Sequence, residues 1–195
     1  MEYAYNILKE HKKNDFQDFY NLGFKAESMY GCCAQCLTIP FIELLAADKS
    51  LFQYAGGFCA GYGMVGTYPC GALSGGIMTI AHFFGRSFYD LSGDLEASKQ
   101  IFRDSSVVVR KFEAKFKKEI GHTLCDKVQN IIFGRSFDFV NRTAIDYPKF
   151  VELGAYQDKC TTVVGKASRI TAQVIFEEFE EKSKKGIRPS SLRME

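Results

Sequence analysis

Tryptophan is absent from the 195 residues, histidine occurs three times, and 25 Lys and Arg stand against 23 Asp and Glu, a formal charge of +2. That balance leaves no basic face of the kind a nucleic-acid binder presents. No apolar run approaches the ~20 residues of a membrane span. The longest, Ile77 to Phe84, is interrupted by Thr79 and His82. The start, MEYAYNILKEHKKNDF, lacks the continuous apolar core of a secretory signal. The chain therefore reads as cytoplasmic, with no membrane insertion and no nucleic-acid partner. Asn141-Arg142-Thr143 matches a glycosylation acceptor and, without an export signal, reads as coincidence. There is no HExxH and no Ser–His–Asp arrangement, and no CxxCH that would attach a c-type haem.

What is present is a helical period. With 46% hydrophobic residues, 18 Phe and 10 Tyr, the chain can bury the core of one domain. Phe16, Phe19, Tyr20, Leu22 and Phe24 predict a helix between Asp15 and Tyr30. A second is expected over Cys33 to Ala47, kinked or broken at Pro40. Asp48 is placed to cap a short third. Further helices are expected from Gly71 to Phe84, stopped by Gly85, and from Leu95 to Ile120, capped by Asp94 and stopped by Gly121. Two more run from Cys125 to Phe133, closed by Gly134, and from Asp158 or Lys159 to about Glu181. Residues 138–148, with Pro148, read as irregular. The reading is an all-α bundle of about six to seven helices: an N-terminal extension at 1–14, one domain at 15–181, and a disordered basic tail at 182–195. Phe84-Gly85-Arg86-Ser87-Phe88 recurs as Phe133-Gly134-Arg135-Ser136-Phe137, but the cysteines before them lie at different offsets. These are two similar helix ends, not a repeat.

Gly61-Tyr62-Gly63-Met64-Val65-Gly66 matches GxGxxG. A dinucleotide fingerprint needs a strand before it and a helix opening on its glycines. Here a helical pattern precedes and Pro69 delays the next helix, so the segment reads as a flexible or tightly packed connection.

Seven cysteines remain to be explained: Cys32, Cys33, Cys36, Cys59, Cys70, Cys125 and Cys160. In a reducing compartment metal ligation or redox chemistry is the better default than structural disulfides. Packing as small hydrophobes is the other reading, and Cys59, among alanines and glycines, is assigned to it. Cys33-Ala34-Gln35-Cys36 is a CxxC without the second close pair of a zinc ribbon. Cys33, Cys70 and Cys160 fall at expected helix starts, where unpaired N–H groups and the helix dipole favour thiolate over thiol. His122, one turn before Cys125, is spaced to face the same site, His82 reads as a packed core residue, and His11 as solvated.

These residues carry a resemblance. Cys33-Ala34-Gln35, the glycine-rich approach from Ala55 to Gly66, the motif Cys70-Gly71-Ala72-Leu73-Ser74-Gly75, and the later Cys125 and Cys160 resemble a family of redox-active proteins described by four cysteines and a CGAxxG motif (C_GCAxxG_C_C), over about Phe16 to Glu178. That family is similar to the non-haem helical part of split-Soret cytochrome c. The resemblance implies a helical, dimeric protein without haem. Its four cysteines, Cys33, Cys70, Cys125 and Cys160, would gather around an iron–sulfur cluster, [2Fe–2S] or [4Fe–4S], and exchange electrons with a donor or acceptor protein still to be identified. The same thiols suit dithiol/disulfide cycling, or a tetrahedral structural zinc in an interaction module without redox activity. A third reading is a thiol enzyme with Cys70 as its catalytic nucleophile. Gly71 and Gly75, four apart on one helix face, are expected to let a neighbouring helix or a cluster approach closely.

Overall fold

The structure, a computed structural model, describes residues 2–185. The all-α class holds. Among the described residues there is no strand, only an isolated antiparallel bridge between Pro69 and Leu124. None of the described helices is long and apolar enough to cross a membrane. The described residues form nine α-helices, more than the sequence suggests, in the order α1 (Glu2–Lys12), α2 (Gln17–Tyr30), α3 (Cys33–Leu45), α4 (Ser50–Ala55), α5 (Gly71–Phe84), α6 (Leu95–Ile120), α7 (Cys125–Phe133), α8 (Thr143–Glu152) and α9 (Cys160–Lys184).

Local signals account for most boundaries. The Asp94 carboxylate accepts from the Glu96 and Ala97 N–H groups and opens α6, and Gly121, at φ 101°, ends it. Asp48 accepts from Ser50 N–H at 2.7 Å to start α4. The two Phe-Gly-Arg-Ser-Phe segments both close helices, but Gly134 takes a left-handed cap (φ 75°) and Gly85 an extended one (φ −71°).

Three expectations are corrected by packing. Pro40 does not break α3, which is continuous to Leu45 with Pro40, Leu37 and Phe41 buried on one side. Residues 143–152 are helical despite Pro148. Phe150 is buried against Phe137 and Phe139, and the buried Asp146 receives the Asp138 N–H at 2.8 Å. Residues 2–12 form α1, whose Ala4 and Leu8 enter the core against α3 and α9. At the other end Lys182 to Lys184 extend α9, and the rest of the expected disordered tail, 186–195, lies outside the described residues.

α9 is the central helix. Val164, Ala167, Ala172, Ile175 and Phe179 are buried along it, and α1, α2, α3, α5 and α6 pack around it. Small residues set the crossings. A Cβ on Gly23 of α2 would collide with Ser168 of α9, and one on Gly76 of α5 would collide with the Phe112 ring of α6. The main core reaches from Leu8 to Phe179, and a smaller aromatic cluster of Phe137, Phe139 and Phe150 forms beside α8. The functional cavity lies where the two meet.

Candidate functional site

The glycine-rich segment is a tight structural device, and no strand precedes it. Ala60, Gly61, Tyr62, Gly63 and Met64 take φ of 45°, 71°, 60°, 55° and 67°, five successive left-handed residues. The coil is closed by Met64 N–H donating to Cys59 O and Gly66 N–H to Ala60 O, each at 3.0 Å. Gly61 is required there, because a Cβ would lie 2.8 Å from the Gly66 carbonyl carbon. The chain then pairs with the segment before α7. Asp126 N–H donates to Gly66 O at 2.8 Å, Cys125 N–H to Tyr68 O at 2.9 Å, and Cys70 N–H to Thr123 O at 2.8 Å. Cys70 and Cys125 therefore open their helices side by side.

All four cysteines counted in the CGAxxG resemblance sit at helix starts. Cys70 is the N-cap of α5, and Cys33, Cys125 and Cys160 are the first residues of α3, α7 and α9. A π-helical turn, Ala155–Lys159, delivers Cys160. All four line one cavity of about 260 Å³, together with Glu27, Gln129 and Tyr156. Cys70 and Cys125 are buried, and Cys33 and Cys160 half-buried. Hydrogen bonding with Cys70 raises the Cys33 pKa, and hydrogen bonding with the Ala60 backbone lowers it. Gln129 Nε2 stands 3.4 Å from Cys125 Sγ as its donor. A Cβ on Gly71 would strike the Cys33 sulfur, and one on Gly75 would meet Ala34 O at 2.5 Å. Gly71 and Gly75 thus do what their spacing suggests: they let α3 lie directly on α5.

The electrostatics reverse one expectation. A hydrogen bond to Cys70 and burial hold the Cys33 thiol well above the ordinary range, and burial does the same to Cys160. Cys125 is pushed up to about 12, chiefly by burial. A helix N-terminus contributes about 0.3–2 kcal/mol. Desolvation in a closed cavity reaches several pKa units, each worth about 1.4 kcal/mol. Burial wins, and these three cysteines are neutral thiols at pH 7.

Glu27 has no counterpart in the sequence-level site. It is 3% exposed and lines the cavity, and burial pushes its carboxyl up to about 7 although the Cys36 thiol donates to it. Its Oε2 has no hydrogen-bond partner among the described residues. The signal was the buried stripe of α2, where Phe19, Gly23, Ala26 and Glu27 share one face.

The remaining candidates separate. Cys59 is not a packed hydrophobe: it is half-buried and forms a disulfide with Cys32, Cα–Cα 5.1 Å, on the cavity wall. Cys36 is buried and its thiol lies 2.7 Å from Gly31 O. His122 does not join Cys125 in the cavity; its Nδ1 accepts the Leu124 N–H at 3.1 Å. His82 is half-buried rather than in the core, and His11 pairs with Asp18 at 2.7 Å. No group of three or more His, Cys, Asp or Glu among the described residues stands in a metal-coordinating arrangement. The four sulfurs border a common space without closing on one point.

Fold and site together define a helical protein with a thiol-lined cavity. The chain belongs to the C_GCAxxG_C_C family, described as "putative redox-active protein", whose family model matches residues 31–174. The match takes in Cys33, Cys70, Cys125 and Cys160, and is narrower at both ends than the motifs suggested. Glu27 lies outside it. No curated protein and no solved structure matches the chain.

Proposed function

We propose that this member of a redox-active family is an electron-transfer protein whose cavity holds an iron–sulfur cluster through Cys33, Cys70, Cys125 and Cys160. The observation that carries the reading is the convergence of three helix N-termini and the π-to-α junction at Cys160 on one cavity, each bringing a cysteine. The donor set fits: clusters of both common kinds are held by four thiolates. Positive helix ends favour the net negative charge of such a centre. The Ala60 N–H on Cys33 and the Gln129 amide on Cys125 are donors of the kind that tune a cluster's potential. When bound, the cluster supplies one-electron transfer. The chain's own part is to give up the thiol protons on loading, hold the sulfurs at four rigid helix starts, and exclude water through Phe139, Phe150 and Val164.

A single zinc fits less well. It requires four sulfurs about 2.3 Å from one point, whereas these share the lining of a cavity of about 260 Å³ with many other side chains. Dithiol/disulfide cycling is favoured by one observation, the hydrogen bond between Cys33 and Cys70. The partner is an electron donor or acceptor protein, and the working form a cytoplasmic homodimer.

Anaerobic purification with an absorption spectrum and iron, sulfide and zinc analysis tests the reading. Brown protein with stoichiometric iron and sulfide is expected. Zinc without iron would shift the reading to a structural module, and metal-free protein that takes up two electrons beyond those that reduce Cys32–Cys59 would shift it to dithiol cycling.

A further inference from the structure

Cys32 and Cys59 are extra to the four cysteines of the site, yet their disulfide is built into the same wall. Cys32 precedes Cys33 in the chain, and Cys59 precedes Ala60, whose N–H hydrogen-bonds the Cys33 sulfur. The Cys33 sulfur lies against Gly71, the residue after Cys70, and all four of these cysteines line the cavity. A disulfide and a thiol pair thus share one cavity wall, joined by the adjacent residues Cys32 and Cys33. Both ends of the disulfide adjoin left-handed backbone unusual for side-chain-bearing residues: Cys32 itself at φ 62°, and Ala60 at φ 45°.

We propose that Cys32–Cys59 and Cys33/Cys70 are one exchanging couple, in which the disulfide moves between the two pairs inside the folded protein.

The exchange has two steps. Cys33, through the small fraction that is thiolate at alkaline pH, attacks Cys59 Sγ; the Cys33–Cys59 bond forms, the Cys32–Cys59 bond breaks, and Cys32 leaves as thiolate to take the proton Cys33 released. Cys70 then attacks Cys33 in the same way. The Cys33–Cys70 bond forms, the Cys33–Cys59 bond breaks, and Cys59 takes the proton from Cys70. Two electrons pass from Cys33 and Cys70 to Cys32 and Cys59, two thiols are consumed and two produced, and no external oxidant enters. Only when the second step breaks Cys33–Cys59 is the left-handed coil freed from the start of α3. One consequence rests on the cluster reading: the exchanged form removes Cys33 and Cys70 from the donor set, so the cavity loads only in the form that carries Cys32–Cys59.

The test is disulfide mapping on the full chain, purified anaerobically with a chelator, held at pH 8, quenched in acid and alkylated. Adjacent Cys32 and Cys33 are distinguished by tandem mass spectrometry. Wild type is expected to show both Cys32–Cys59 and Cys33–Cys70. Cys70→Ser, which blocks the second step, is expected to accumulate Cys33–Cys59. Cys32→Ser, which stands in for the departed sulfur, is expected to form the same bond when oxidised with glutathione disulfide. The proposal is overturned if Cys32–Cys59 is the sole link in folded wild type and no Cys33–Cys59 link forms in either variant, or if Cys32, Cys59, Cys33 and Cys70 are all found as free thiols. Iron plays no part in the readout, so a failed cluster assignment leaves this result intact, and the reverse holds.

Discussion

Gly71, the residue after Cys70, has no side chain where the Cys33 sulfur sits: a Cβ there would strike it. Within the CGAxxG motif the glycine therefore makes room for the thiol, and the cysteine beside it raises that thiol's pKa.

Gly71→Ala should destabilise the fold by about 2 kcal/mol or more, in the range of overpacked cores. The new methyl would meet Phe58 O at 3.0 Å and Ala34 N at 3.1 Å as well as the sulfur, and backbone cannot swing aside. Gly75→Ala should behave alike. Gly57→Ala, with nothing within 4 Å of its Cβ position, is the control and should change stability little. Urea denaturation midpoints decide it, and equal midpoints for Gly57 and Gly71 variants would refute the close-packing role.

Glu27 predicts a falling stability with pH in metal-free protein. Its folded pKa of about 7 lies above the ordinary 4.5, so the folded state holds the proton more tightly. Its stabilising contribution is complete below pH 4.5 and is lost as pH rises through 7. At 1.36 kcal/mol per unit the loss is about 3 kcal/mol. Glu27→Gln should remove this slope, leaving the variant more stable than wild type at pH 8. Thermal unfolding of both proteins from pH 4 to 8.5 checks it; parallel profiles would count against a buried, unpaired carboxyl.

Gln129 braces the cavity from both ends of its amide: Nε2 toward Cys125, and Oε1 accepting the Phe137 N–H at 2.9 Å. Gln129→Leu strands a buried backbone donor, at a cost of about 1–3 kcal/mol. Amide exchange at Phe137 should accelerate in the variant. Unchanged protection there would mean that the side-chain bond contributes nothing.

Reducing the Cys32–Cys59 link, or replacing Cys59 with Ser, should lower stability by about 3–4 kcal/mol for a sequence separation of 27 residues. Protease sensitivity should rise within 59–66, the segment the bond anchors. Equal unfolding midpoints with and without reductant would exclude the anchor.

For the cluster, Cys→Ser at position 33, 70, 125 or 160 should each reduce bound iron and sulfide several-fold, while Cys36→Ser should not. Cys36 is buried beside Glu27 and does not line the cavity. Iron content that falls equally in the Cys36 variant would indicate general unfolding.

Much of the fold was legible because its signals act within a few residues. Asp94, Gly121 and Gly134 mark helix ends through hydrogen bonds to their own neighbours, and α6 begins and ends, and α7 ends, where those residues say. α8 was not legible, since Pro148 speaks against a helix and the reasons for one, Phe150 in its aromatic cluster and the anchored Asp146, come from contacts made across the fold. The same holds for Cys59. Its bond to Cys32 depends on chain returning through Gly56–Phe58 to the start of α3, a closure 27 residues long.

For the site, the sequence by itself determined which cysteines start helices and that Gly71 and Gly75 share a face, because both follow from the 3.6-residue period and local caps. Only the tertiary structure decided that those starts meet around one cavity, that Glu27 faces into it, and that Cys33, Cys125 and Cys160 are neutral thiols. The physical reason is that desolvation and proximity arise between segments distant in the chain. Neither has a magnitude until α2, α3, α5, α7 and α9 have packed.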